Sequence, residues 1–364
     1  MIIGIVLHPY GEDQPAGLSR TIFELTKGMI SVDQKNEYII FLKRTPRILP
    51  EFPGKNWRVH VLGGGLLWLD QLRRAPLCDV IIFNTPVLPL FYTPKKTVAL
   101  ALDFAYYYFP PQGLRATILN KLTFWYHGRS LRRADIIVAI SEATKKDVIK
   151  LFHIPSERVH VVLCGFKNIC AVAQQTISLP EHFFLFVGVM KPRKNVFNVI
   201  KAFRAICDTH PNYSLVLGGR AQGAYVDEMN YFINKEGIGA RVHFIGHLND
   251  GQLSYIYRRA RALVFASFIE GFGYPVLEAM ACGTPVITSR STSLGEICQN
   301  GSALLVDPAR VEELAAVMDR VARDDTLVRE LINNGHRQAA QFSWANAGKE
   351  MTDILISVCV ENTG

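Results

Sequence analysis

Residues 263–282 read LVFASFIEGFGYPVLEAMAC, and this order of residue types decides the fold class. Leu263–Ala266 is a short apolar run ahead of a loop, which predicts a strand buried on both faces. Gly271 and Gly273 then give a loop whose backbone carries no covering side chain, and Pro275 fits the first turn of a helix. Strand, loop and helix in that order are the repeating unit of a parallel sheet clothed in helices.

The alternation extends in both directions. Phe183–Val187, Ser214–Leu217, Val242–Ile245, Pro285–Thr288 and Ala303–Val306 read as strands, interleaved with helical stretches over Val196–Ile206, Tyr225–Glu236, Leu253–Ala260 and Val311–Arg323. Upstream, Ile2–Leu7, Tyr38–Leu42, Arg58–Leu62, Asp79–Phe83, Thr97–Leu102, Ala134–Ile140 and Val159–Leu163 form a second strand series. Leu18, Ile22, Leu25 and Met29 recur at helical spacing, and Ser141 is a good N-cap for the stretch after it. Turn formers and polar residues interrupt the pattern between Cys164 and Pro180. The expected architecture is α/β: two Rossmann-like parallel-sheet domains, residues 1–168 and 169–342, facing across a cleft. Ligands of such sheets gather at the carboxyl ends of the strands.

Composition narrows the field. The 364 residues are 49% hydrophobic and 20% charged, which excludes a disordered chain, a collagen-like repeat and a disulfide-stapled miniprotein. No run approaches the ~20 apolar residues of a bilayer-spanning helix, and the opening MIIGIVLHPYGEDQ lacks the basic start of a secretory signal. The seven cysteines include no CxxC pair, so reduced thiols in a cytoplasmic protein and no structural zinc are expected. The net charge of +8 is lopsided: residues 1–170 carry 22 basic and 13 acidic side chains, the remainder 18 and 19. The first half is therefore expected to meet something anionic, such as a phospholipid surface, a phosphorylated substrate or nucleic acid.

Two segments carry chemistry. In the opening stretch Glu270 ends the strand, and Glu278 follows eight residues later on the helix. Amides of Gly271, Phe272 and Gly273 beside a helix start suit an anionic or polyhydroxylated ligand; the alternative makes Glu270 a cap and Glu278 a solvated acid. In FVGVMKPRKN (186–195), Lys191, Arg193 and Lys194 follow a strand and precede a helix, an arrangement like a diphosphate clamp or, alternatively, a solvated basic turn. The first half offers the loop Gly11–Gly17 and the helix start at Ser141. It also holds RATILNKLTFWYHGRSLRR (115–133), where Phe124, Trp125 and Tyr126 lie among five cations, a mixture that suits an anionic bilayer or a packed helix with a basic face. His8 and His127 read as structural. No G-x-G-x-x-G, no P-loop and no Asp-x-Asp occurs.

The E-x7-E pair, the PRKN turn, and the run GTPVITS (283–289), GEI (295–297) and GSALLVDP (301–308) resemble glycosyltransferase family 4, as does SLRRADIIVAISEATKKDVIKLFHIPSERVHVV from Ser130. The resemblance implies a GT-B fold and a retaining, nucleotide-sugar-dependent enzyme that needs no metal or other cofactor. It assigns Glu270 to the transferred sugar with Gly271, Phe272 and Gly273, Glu278 to the ribose, Arg193 and Lys194 to the diphosphate, and His247 and Leu248 to the base. FSWANAGKEMTDIL (342–355) resembles the helix that crosses back onto the first domain in such proteins, here about 343–364. Val189 stands where many members carry Arg, and Leu102 where many carry His, which leaves Asp103 or a backbone carbonyl to meet the sugar from the first domain and makes Asp103 a catalytic candidate beside Glu270. Gly17 and Ser141 are the acceptor-side candidates.

The expected function is transfer of a mannose- or glucose-type hexose from a GDP- or UDP-linked donor to a glycan or lipid-linked acceptor in surface polysaccharide or lipopolysaccharide synthesis. The expected location is the cytoplasm, with peripheral contact at the inner face of the plasma membrane and no nucleic-acid partner. The competing reading is a non-catalytic nucleotide-sugar- or glycan-binding partner of an active enzyme.

Overall fold

A computed structural model describes residues 1–10 and 17–360, without the side chains of 17–20 and 360. The chain divides into two compact units, Met1–Gly165 with Phe342–Gly364, and Phe166–Gln341.

Unit 1 runs β1 (Ile2–Val6), α1 (Gly17–Val32), β2 (Glu37–Leu42), β3 (Trp57–Val61), β4 (Val80–Phe83), β5 (Thr97–Ala101), α2 (Ala105–Tyr108), α3 (Leu114–Arg133), β6 (Ile136–Ala139), α4 (Glu142–Phe152) and β7 (Val159–Val161). Its sheet has the order β3-β2-β1-β4-β5-β6-β7, and every pairing is parallel. Every residue of β5 is buried, because helices cover both faces and leave no polar side of the strand.

Unit 2 runs β8 (His182–Val187), α5 (Val196–Ile206), β9 (Tyr213–Gly218), α6 (Ala224–Lys235), β10 (Val242–Gly246), α7 (Asp250–Tyr257), β11 (Ala262–Phe265), α8 (Tyr274–Ala281), β12 (Val286–Ser289), α9 (Thr292–Ile297), β13 (Leu304–Val306), α10 (Val311–Arg323) and α11 (Asp325–Ala339). Its sheet, again parallel throughout, has the order β10-β9-β8-β11-β12-β13. Four consecutive residues of β8, Phe183 to Phe186, are at most 1% exposed and fill both of its faces.

Helix α11 has no counterpart in the sequence reading. Gly335 and a polar surface weaken its helical signal. The glycine serves packing: a Cβ there would lie 3.2 Å from Met280 Cγ, so α11 lies close against α8. The expectation of reduced thiols also needs correcting, since Cys170 and Cys282 form a disulfide with Cα atoms 5.3 Å apart. It joins the short helical turn Ile169–Ala171 to the end of α8, a pairing across 112 residues that cysteine spacing could not reveal.

After α11 the chain returns to unit 1 as α12 (Trp344–Val360), which packs on α1 through glycines. A Cβ on Gly28 would lie 2.1 Å from the Trp344 carbonyl oxygen, and one on Gly348 would lie 2.3 Å from Gly28 C. Gly348→Val is expected to destabilise unit 1 by about 1–3 kcal/mol, because backbone rather than a yielding side chain opposes the new atoms. Chemical denaturation checks this, and an unchanged midpoint would remove the requirement for close approach.

Candidate active site

In unit 2 the strand order reverses between β8 and β11, the neighbours from which the chain winds outward in opposite directions. The carboxyl ends of strands at such a reversal are where open parallel sheets leave a crevice. The two chemistry-bearing segments flank it. Lys191–Lys194 follow β8, and Glu270 follows β11.

One backbone and one side-chain bond hold the two loops together: the Phe268 amide donates to the Arg193 carbonyl at 2.9 Å, and the Arg193 guanidinium to the Ile269 carbonyl at 3.1 Å. Asn195 sits between them in the left-handed region at φ 59° and is buried. Its amide donates to the carbonyls of Ala266 at 3.0 Å and Pro308 at 2.6 Å, tying the ends of three strands. Over this frame Lys194 Nζ bonds Glu270 Oε1, and Arg193 Nη1 lies 3.6 Å from the same oxygen. The Glu270 side chain is only 10% exposed, and Lys194 also sits 4.9 Å above the Phe265 ring. Two cations against one carboxylate leave net positive charge in a partly desolvated site, where it acts strongly on an incoming anion. The N-cap of α8 is Gly273, which has no side chain to cap it.

Glu278, on α8, is 7% exposed, so it is not a solvated acid. The Tyr257 hydroxyl donates to it at 3.4 Å, and burial together with this carboxylate pushes the Tyr257 pKa well above its ordinary value. Gly271, Phe272 and Gly273 are buried, contrary to the uncovered backbone expected of them. The reason is close packing: Gly273 has φ 114°, and a Cβ there would lie 2.6 Å from Leu294 of α9. His247 is exposed beyond Gly246, whereas Leu248 is buried with a methyl 2.9 Å from where a Gly218 Cβ would stand.

Sequence reasoning gave no role to Asn195, Tyr257 or Ser293, whose hydroxyl donates to the Glu270 carbonyl at 3.0 Å. An asparagine just before a helix was the available signal for Asn195, since asparagine tolerates the left-handed region. Nothing local marks the other two.

In unit 1, Asp103 is exposed just past β5 and accepts from the Ala105 amide at 3.1 Å. Leu102 beside it is buried. Ser141 is fully buried and spends its hydroxyl on Thr144, accepting from the amide at 3.1 Å and donating to Oγ1 at 3.0 Å, so its side chain is not open to an acceptor. Gly17 starts α1, and residues 11–16 of the candidate loop lie outside the described residues.

Close to Asp103, the Tyr106 hydroxyl meets His127 Nδ1 at 2.7 Å. Burial pulls His127 down from 6.5 to about 4, so the folded imidazole is neutral where an unfolded one takes up a proton. Stability should thus be complete above pH 6.5 and fall by roughly 1.4 kcal/mol per pH unit as the pH drops towards 4. His127→Phe should flatten that slope in urea titrations at stepped pH; an unchanged slope would place the titration elsewhere.

Among the described residues no three His, Cys, Asp or Glu side chains gather as a metal site, and no helix is long and apolar enough to cross a membrane.

Residues 15–167 match the model of glycosyltransferase family 4, and residues 171–338 that of the group 1 glycosyl transferases. The O-antigen chain mannosyltransferase B of Escherichia coli is 32% identical over 227 residues, which are 60% of this chain and 59% of that protein. The serotype-specific mannosyltransferase WbdA of Escherichia coli is 30% identical over 279 residues, 72% of this chain but only 33% of its own length. The matches thus span about three fifths of the first relative and a third of the second. In three dimensions, HepE of Anabaena, solved in complex with UDP and glucose, aligns with TM-score 0.73 at 18% identity, covering 98% of this chain and 100% of that one. WaaG, a glycosyltransferase involved in lipopolysaccharide biosynthesis, aligns with TM-score 0.69 at 17% identity over 97% and 99% of the two chains. Two matched models, one on each parallel-sheet unit, with solved GT-B neighbours along nearly the whole length, support a family 4-like glycosyltransferase of GT-B fold.

Proposed function

We propose that the chain transfers a hexose, with retention of configuration, from a nucleoside diphosphate sugar to a glycan or lipid-linked acceptor in surface polysaccharide synthesis. The observation that carries this reading is Glu270 held between Lys194 and Arg193 where the strand order reverses. As the bond from the anomeric carbon to the diphosphate breaks, negative charge grows on the departing phosphate, and two fixed cations neutralise it without a metal ion. The acceptor hydroxyl adds to the same face, and its proton passes to the leaving phosphate oxygen. Glu270 orients the sugar, and Glu278 accepts from ribose hydroxyls. The Escherichia coli relatives are named as mannosyltransferases, which favours mannose, and HepE was solved with UDP and glucose.

Calorimetric titration with UDP and GDP tests the clamp. Lys194→Ala should bind the matching nucleotide at least about tenfold more weakly, since a charge-assisted contact is lost. Unchanged affinity would overturn the role. A panel of nucleotide sugars, read by thermal stabilisation, identifies the donor. The competing non-catalytic reading draws on buried Leu102 and on Val189, and turnover by the purified chain alone would end it.

A further inference from the structure

We propose that Arg220 is a further cation of the donor site and holds the nucleoside-side phosphate of the diphosphate, which rests on the reading of Glu270, Lys194 and Arg193 given above. Arg220 ends the stretch GGR (218–220), which closes β9 and opens the loop towards α6.

Three strand-end loops meet there. Strand β9 pairs with β8 on one side, Val187 opposite Gly218, and with β10 on the other. The Met190 amide donates to the Arg220 carbonyl at 3.0 Å, and the Gly219 amide to the Gly246 carbonyl at 2.6 Å. The backbone at Arg220 thus lies one strand spacing, about 4.8 Å, from the chain that continues past Met190 into Lys191–Lys194.

The charge of Arg220 is not spent on the fold. The residue is exposed, and its side chain makes no hydrogen bond or ion pair among the described residues. Other arginines of unit 2 do the opposite. Arg241, just before β10, donates to the carbonyls of Cys207, His210 and Tyr213. Arg261, just before β11, donates to those of Val321 and Ala322 and pairs with Asp325. Both stand at the amino ends of strands, whereas Arg220 stands at a carboxyl end, where parallel sheets meet their ligands. Across the junction Val189 is 45% exposed and uncharged, so the cation at this point comes from the β9 side.

Strand order assigns the phosphate. Lys194 and Arg193 lie against Glu270 between β8 and β11, the sugar end of the donor in that reading. Glu278, the ribose partner, takes the Tyr257 hydroxyl from α7, the helix that follows β10. The donor therefore extends from its sugar at β11 to its nucleoside on the β10 side, with β9 on the way. The phosphate nearer the sugar meets Lys194 and Arg193, and the phosphate nearer the ribose meets Arg220. An arginine suits the place, because its planar fork matches two phosphate oxygens and keeps its charge at any working pH.

Calorimetric titration of the full chain with uridine, UMP and UDP, and with guanosine, GMP and GDP, separates the two phosphates. In the series that binds, Arg220→Ala should weaken the monophosphate and the diphosphate alike, by at least about tenfold, and leave the nucleoside unchanged. Lys194→Ala should weaken the diphosphate only. Arg220→Lys should keep part of the affinity, since the charge survives without the fork. The melting temperature of Arg220→Ala should equal that of wild type, because the side chain is exposed and the carbonyl that Met190 meets remains. Unchanged monophosphate affinity in Arg220→Ala would overturn the proposal. So would an equal loss for the nucleoside, which would make Arg220 a contact to the base. Either result with an intact Lys194→Ala effect leaves the proposed function standing, whereas wild-type chain that binds neither nucleotide series would remove both.

Discussion

Glu270→Gln is expected to slow sugar transfer by about 10²–10³-fold while UDP or GDP binds at least as tightly as to the wild-type chain. The two effects diverge because the carboxylate has two relationships. On the proposed reading it faces the sugar as a charged acceptor beside the reacting carbon. Towards the clamp it competes with phosphate, since Lys194 and Arg193 both lie against its Oε1. Removing the charge frees both cations for the diphosphate and removes the group that orients the sugar. Glutamine preserves the shape, so the loop bonds from Phe268 to Arg193 and from Ser293 to the Glu270 carbonyl remain. Initial rates together with nucleotide titration measure the split. A parallel loss of rate and nucleotide affinity would mean that Glu270 only braces the loop.

Gly219→Ala is expected to destabilise unit 2 by about 4 kcal/mol and to abolish nucleotide binding in the population that still folds. Gly219 follows β9 with φ 130°, a conformation that L side chains rarely adopt, and this alone costs about 1–3 kcal/mol. A Cβ there would also lie 2.0 Å from the Gly188 carbonyl oxygen, which is backbone and cannot swing aside. The contact matters because three strand-end loops interlock at this point. Gly188 donates to Gly218 at 2.8 Å, Gly219 to Gly246 at 2.6 Å, and Met190 to Arg220 at 3.0 Å. Gly188→Ala is the internal control: at φ 148° it carries the conformational cost, but its nearest new contact is Phe186 at 3.5 Å. Denaturant midpoints should therefore rank wild type, Gly188→Ala, Gly219→Ala. Equal midpoints for the two variants would show that the close approach carries no weight.

Local residue order was enough to place most of the elements. A run such as Phe183–Phe186, short, aromatic-rich and flanked by Pro180 and Gly188, reads as a strand covered on both faces, and Gly-x-Gly followed by Pro275 reads as a loop entering a helix. The segments bearing Glu270 and Lys194 were legible for the same reason: each joins a strand end to a helix start, and that junction is written within about ten consecutive residues. Family-level similarity extended the reading to roles for Glu278, His247 and Leu248. The fold then sorted these residues, burying Glu278 and Leu248 and exposing His247.

What the sequence by itself determined was the class of fold, its division into two sheets, and the presence of acids and cations at strand ends. Tertiary structure alone decided their partners. Glu270 and Lys194 are 76 residues apart and meet only because β8 and β11, distant in sequence, become neighbours at the reversal of strand order. The same holds for Cys170 with Cys282 and for Asn195 with Pro308. Helix α3 makes the point on a smaller scale: its composition announced aromatics among cations, but which ring faces out depends on what lies beneath. Phe152 and Leu88 take Phe124 and Tyr126 inward and leave Trp125 outside. Periodicity and turn chemistry are short-range and can be read along the chain, whereas ion pairing, burial and surface exposure are set by which segments the sheet order brings together.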